Sequence, residues 1–140
     1  MKFIILILVS YNIFAQNLIV SKPYIREVPP TSKNSAAFMK LKNTTDKSII
    51  IIGAKSDISK AVELHNHTLV NGMMKMRQIK EILVPPKSIV ELKPKSLHVM
   101  FIGLKDELRE GNSHKLSLIQ KNGNEVKIIA PVKSIKRHRH

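Results

Sequence analysis

The sequence predicts an all-β protein, an antiparallel β-sandwich or small barrel of about eight or nine strands. Short apolar runs rich in Ile, Leu and Val recur along the chain, and several of them alternate with polar residues. Clusters of Pro, Gly, Asn and Ser separate these runs at short intervals, as turns do in all-β domains. No long segment has the 3.6-residue period of an amphipathic helix. With four Phe, two Tyr and no Trp, the core is expected to consist of aliphatic side chains.

The first fifteen residues have the order of a secretory signal. A positive charge at Lys2 precedes the apolar run Phe3–Val9, and the small residue Ala15 follows a more polar stretch. The apolar run is too short to span a bilayer, which needs ~20 residues, so we expect no stable membrane insertion. We predict a signal peptide over 1–15, cleaved after Ala15, and an exported, periplasmic domain over 16–132. A buried N-terminal strand is the alternative, and without a cysteine we expect no lipid anchor.

The domain divides into strand-like segments with turn signals between them. Pro23 favours an edge strand for the first segment, because proline cannot donate to a sheet ladder. Four successive isoleucines from Ile49 predict a strand that is buried on both faces. Asn71-Gly72 is the strongest hairpin signal in the chain. A short apolar piece occupies 81–84, and 105–112 reads as one helical turn or a polar loop. The full set of predicted strands is 18–28, 36–42, 48–54, 61–70, 73–79, 88–92, 97–104, 115–120 and 125–132.

The charge balance is strongly basic, with 24 Lys and Arg against 10 Asp and Glu. Such a field steers a protein toward acidic partners or anionic surfaces. The basic residues are spread along the chain, however, so a solvated surface is the simpler interpretation. No basic recognition helix or aromatic-studded strand appears, and we therefore expect no nucleic-acid partner.

Two histidines and two methionines have a spacing that predicts a copper(I) site. His65, Met76, His98 and Met100 follow the pattern His-x10-Met-x21-His-x-Met, and the chain has no cysteine to compete for a soft metal. Thioethers suit Cu(I) better than zinc, calcium or magnesium. Imidazoles accept copper in either oxidation state, so Cu(II) is a second candidate. All four ligands are neutral, which leaves a bound Cu(I) at a charge of only one.

Strand geometry groups these candidates, because side chains two residues apart share one face of a strand. The Asn71-Gly72 turn would make the first two ligand segments neighbours, whereas the third must come alongside by tertiary packing. His67 shares the face of His65 and is a candidate auxiliary ligand. The other methionines of the domain are interpreted as core filler, the usual place of a single methionine on a strand: Met39, Met73 and Met74.

The sequence resembles the periplasmic copper chaperone family written PCu(A)C, whose defining pattern is this same spacing. The surrounding residues match as well, at Val62–His65, Met74–Arg77, Val90–Pro94 and His98–Leu104. The resemblance implies a cupredoxin-like Greek-key fold and one Cu(I), bound near the surface by the four residues. It also implies transfer to an acceptor, a cytochrome oxidase subunit or its assembly factor, by a protein that we expect to be a monomer.

The sequence departs from the family pattern at three places. Lys95-Ser96-Leu97 stands where the family tends to have glycines, Gln78 replaces a frequent proline, and Tyr24 replaces a frequent tryptophan. None of these changes removes a ligand. They predict a stiffer or differently placed loop before the second histidine of the pattern.

The sequence has two alternative interpretations besides a copper chaperone, a metal-free binding module and an enzyme. The first alternative is an exported basic β-sandwich module that binds acidic proteins or anionic surfaces without metal. An enzyme is not predicted, because no catalytic motif is found and a blue-copper centre needs a cysteine thiolate. The tail 133–140 lies beyond the family resemblance and is interpreted as a basic, disordered segment. By likeness to family members with His-rich extensions, His138 and His140 are weak candidates for Cu(II).

Overall fold

The computed structural model describes residues 17–134, which fold into ten β-strands without a helix. The all-β prediction is confirmed, and residues 105–112 form turns and bends rather than a helix. None of the described residues forms a helix long and apolar enough to cross a membrane. The predicted signal peptide and residues 135–140 of the tail lie outside the described residues. The strands are β1 Leu18–Arg26, β2 Asn34–Asn43, β3 Ile49–Lys55, β4 Ser59–Val70, β5 Met73–Gln78, β6 Ile82–Val84, β7 Ile89–Leu92, β8 His98–Leu104, β9 Ser113–Gln120 and β10 Glu125–Lys133.

The strands are hydrogen-bonded in the order β5-β4-β8-β2-β1-β10-β9-β3-β6, and β7 pairs with β2 beside this path. The order is open at both ends, so the strands do not close into a barrel. Every pairing is antiparallel except that of β1 with β10, which is parallel through Ile25–Val132 and Arg26–Lys133. The predicted antiparallel arrangement therefore holds at every pairing among the described strands except this one.

Strand β1 is interior, not the edge strand that Pro23 predicted. Its pairing with β2 shifts register between Ser21 and Tyr24, where Lys22 has a positive φ of 50°. The parallel pairing with β10 begins only after this irregularity, at Ile25. The missing N–H of Pro23 therefore costs no ladder bond on that side.

The core is aliphatic, as predicted, and receives side chains from every strand except β5. Strand β2 contributes most, and Met39 is buried in it, which confirms the interpretation of this methionine. The four isoleucines of β3 do not all face the core: Ile51 is fully buried, whereas Ile52 is 47% exposed. The prediction of burial on both faces is wrong because the outer face of β3 faces solvent. A further set of fully buried side chains includes Ile25, Leu41, Val84, Val99, Phe101 and Val132.

The hairpin of β4 and β5 forms at the predicted turn. Asn71 and Gly72 both have positive φ, 50° and 76°, as a two-residue type I′ turn requires. Strand β5 is outermost in the order, and all six of its residues are exposed. Met73 and Met74 are 64% and 57% exposed, so their interpretation as core filler is wrong.

Candidate metal centre

Three adjacent strands bring the four predicted ligands to one face of the sheet. Strand β4 lies between β5 and β8 and is antiparallel to both. His65 is directly opposite His98, and Glu63 is opposite Met100. On the other side of β4, His67 is opposite Met76. Directly paired residues point to the same face of a sheet, so tertiary packing brings the third ligand segment alongside the hairpin.

A pocket of about 300 Å³ opens on this face, and four of its lining residues are His67, Met76, His98 and Met100. His98 is only 3% exposed, whereas Met76 is 40% exposed. The pocket thus has a buried imidazole inside and a solvent-accessible thioether. His65 is not among the lining residues. Its ring lies next to that of His98, with 5.7 Å between the ring centroids.

His98 is held in an orientation and a charge state that suit a metal ligand. Its Nδ1–H donates to the carbonyl oxygen of Ser96 at 2.8 Å, which leaves the lone pair on Nε2. Burial lowers the pKa of His98, and the nearby imidazoles and Arg26 act in the same direction, against the Ser96 hydrogen bond. A lowered pKa keeps the imidazole neutral, and only the neutral form can bind a metal ion.

His65 is oriented by Glu63, a residue that the sequence analysis did not identify. Nε2 of His65 donates to Oε2 of Glu63 across 2.7 Å, so the lone pair of the neutral ring is on Nδ1. Among the described residues, this Nδ1 is buried without a hydrogen-bond partner. An unsatisfied buried polar atom costs about 1–3 kcal/mol, and a metal ion at Nδ1 would remove that cost. The residues present therefore fit a metal ion.

The charged side chains that line the pocket are cationic, and the Glu63 carboxylate contacts His65 outside this lining. Arg26 and Lys95 line the pocket, and no lining residue is acidic. In the part of the chain that the structure describes, no three His, Asp or Glu side chains are grouped to hold a metal ion. The candidate site therefore combines imidazoles with methionine thioethers, a donor set that suits Cu(I).

Comparison with known families gives a match over most of the described chain. The family model described as "Putative lipoprotein LpqE-like" matches residues 18–132. A relative from Leifsonia xyli subsp. xyli (strain CTCB07), named "Putative lipoprotein Lxx21020", is 31% identical over 120 residues. The match covers 85% of this chain and 71% of the relative.

Two solved structures share the fold. The solution structure of CuI-DR1885 from Deinococcus radiodurans is 27% identical with a TM-score of 0.70, covering 86% of this chain and 80% of that one. The copper-bound PCuAC domain from PmoF2 has a TM-score of 0.72 at 22% identity, covering 86% and 95%. At that identity, the second likeness bears on the fold alone. The chain belongs to the LpqE-like family, and its cupredoxin-like fold is that of the PCuAC domains that its sequence resembles.

Proposed function

We propose that this protein is an exported copper chaperone, which binds one Cu(I) through His65, Met76, His98 and Met100 and passes it to an acceptor protein. The observation that carries the proposal is the convergence of the last three residues on one pocket. His65 stands beside His98 with a buried Nδ1 that lacks a partner. The Cu(I)-bound state of DR1885, which is 27% identical to this chain, supports the same conclusion.

The donor set explains how the site would hold copper and still release it. Two thioethers and two neutral imidazoles match the softness of Cu(I) and leave the complex at a charge of one. Cu(II) would leave two positive charges near Arg26 and Lys95, so we expect it to bind more weakly. The exposed Met76 gives an incoming protein access to the metal, so that ligands can be replaced one at a time. Such an exchange is transfer rather than catalysis.

The location and partner of the protein follow from its relatives and its charge. The lipoprotein names in the family support export, and we propose a periplasmic location after removal of the signal peptide. Removal of the signal peptide takes away Lys2 and leaves a formal charge of +13, which favours an acceptor with an acidic surface. We propose that the acceptor is a cytochrome oxidase subunit or a factor that assembles its copper centre.

A competition titration against a Cu(I) chelator, under anaerobic reducing conditions, tests the proposed site. The double variant Met76→Leu/Met100→Leu keeps the side-chain volume but removes both sulfur donors. We expect it to bind Cu(I) at least about 100-fold more weakly, because loss of a group that only supports a ligand already costs about 10–100-fold. The matched control Met73→Leu/Met74→Leu removes two exposed methionines of the same hairpin and should bind as the parent does.

If Met76→Leu/Met100→Leu binds Cu(I) as tightly as the parent, the chaperone proposal is wrong. The metal-free alternative would then be preferred, a basic module that binds anionic surfaces. Circular dichroism of the variants establishes that the comparison is made between folded proteins.

A further inference from the structure

We propose that His67 is an alternative copper ligand, which takes the place of His65 while copper enters or leaves the pocket. The inference rests on the proposed function, since it concerns how the same Cu(I) site exchanges its cargo. The exchanging set is His67, Met76, His98 and Met100, and the storage set has His65 in place of His67. The change breaks one Cu–N bond and forms another, without a change in the oxidation state of copper.

The register of the hairpin places His67, not His65, beside the exposed thioether. The two-residue turn pairs Val70 with Met73, and the ladder continues to His67 opposite Met76. Directly opposite Cβ atoms in an antiparallel pair are about 4.5–5.5 Å apart. His65 is two residues further along the strand, a rise of about 7 Å. A metal ion at Met76 therefore meets the imidazole of His67 first.

His67 is as close to the buried imidazole as His65 is. The centroids of the His67 and His98 rings are 5.4 Å apart, compared with 5.7 Å between those of His65 and His98. His67 also lines the pocket together with Met76, His98 and Met100, whereas His65 does not. Two imidazoles thus flank His98, and the one on the pocket side is His67.

The two flanking imidazoles are restrained to different degrees. His65 is fixed by its 2.7 Å hydrogen bond to the Glu63 carboxylate. Nδ1 of His67 lies 3.4 Å from the Ser96 carbonyl oxygen, beyond the usual 2.7–3.2 Å range. That carbonyl already accepts the shorter bond from His98. The ring of His67 can therefore turn toward or away from a metal ion at little cost, which suits a ligand that is used only in transit.

Ring nitrogen chemical shifts of the full chain provide the direct test, because Cu(I) is diamagnetic and does not broaden the signals. In His65→Gln, we expect one ¹⁵N resonance of the His67 ring to shift on addition of one equivalent of Cu(I). The affinity of this variant should fall about tenfold, and that of His65→Gln/His67→Gln by about a further tenfold, because the second histidine no longer substitutes for the first. In His67→Gln, release of Cu(I) to the chelator should slow about tenfold.

The proposal is overturned if the His67 resonances do not move in His65→Gln and the double variant binds as tightly as His65→Gln. The control His114→Gln removes an imidazole from β9, away from the pocket, and should leave affinity and release unchanged. Met76→Leu/Met100→Leu separates the two hypotheses. If this variant loses Cu(I) binding while the His67 resonances of His65→Gln do not shift, only the exchange role of His67 is wrong. If this variant still binds Cu(I), the proposed site itself is wrong.

Discussion

Glu63 determines which nitrogen of His65 can meet a metal ion. Its carboxylate accepts the Nε2–H of His65 at 2.7 Å, which holds the ring and leaves the lone pair on Nδ1. We predict that Glu63→Leu lowers Cu(I) affinity about tenfold, because residues that orient a ligating histidine typically contribute 10–100-fold. The chelator titration measures the affinity, and the ring ¹⁵N shifts of His65 report the tautomer. Glu91→Leu is the control, since Glu91 is an exposed carboxylate on β7.

An unchanged affinity together with an unchanged His65 tautomer would show that the carboxylate does not orient the ligand. A changed tautomer with an unchanged affinity would mean that either nitrogen of His65 can serve.

At the scale of single residues, the sequence predicts a set of candidate donors but not the groups that orient them. The spacing and softness of His65, Met76, His98 and Met100 were enough to predict them as a set, and the structure brings them to one face. The Glu63–His65 bond was missed, although alternation along a strand would have placed both side chains on one face. The hydrogen bond from His98 to the Ser96 carbonyl oxygen could not be predicted, because the direction of that carbonyl depends on the conformation of the loop before β8.

At the scale of elements, the sequence predicts both the hairpin of β4 and β5 and its register. A two-residue turn at Asn71-Gly72 fixes the register of β4 and β5, so the pairing of His67 with Met76 follows from counting alone. The parallel contact of β1 with β10 was not predictable in this way. It joins residues near the two ends of the domain, and no local signal specifies such a pairing.

We predict that Gly72→Ala weakens Cu(I) binding, whereas Gly123→Ala does not. Both glycines have positive φ, 76° and 89°, and a Cβ at either would meet nothing within 4 Å. Each substitution should therefore cost about 1–2 kcal/mol of stability through backbone strain alone. Only Gly72 is in the turn that positions Met76. If ordering the strained hairpin costs about 1 kcal/mol of the binding free energy, the affinity for Cu(I) falls about fivefold.

Thermal unfolding measures the stability change of the two glycine variants, and the chelator titration measures their affinity. Equal losses of affinity in Gly72→Ala and Gly123→Ala would mean that copper binding follows global stability and does not depend on the hairpin. No loss in either variant would mean that β5 is positioned by its ladder with β4, independently of the turn.

At the scale of the whole molecule, the proposed site joins the most exposed strand to one of the most protected. Strand β8 is interior, pairs with β2 and β4, and contributes the fully buried Val99 and Phe101 to the core. Strand β5 pairs only with β4 and has no buried residue. A metal ion held by Met76 from β5 and by His98 and Met100 from β8 would therefore link an exposed edge strand to a buried interior strand.

Hydrogen exchange should reveal this link as a local effect of copper. In the apo protein, we expect the amides of β5 to exchange faster than those of β8, because exposed edge strands open without global unfolding. Binding of Cu(I) should slow exchange in β5 by about tenfold or more, since opening then requires loss of the Met76–copper bond. Strands β9 and β10 contribute no residue that lines the pocket, so their amides should be protected only as far as copper raises the global stability.

The variant Met76→Leu/Met100→Leu should show no copper-dependent protection in any strand, which makes it the control for the exchange experiment. Uniform slowing across all strands of the parent would contradict the prediction. It would mean that copper stabilises the fold only through the interior ligands on β8 and β4, with Met76 uncoordinated in solution. Protection confined to β5 and its neighbours would instead fit a site in which an accessible strand closes over the metal ion and opens to release it.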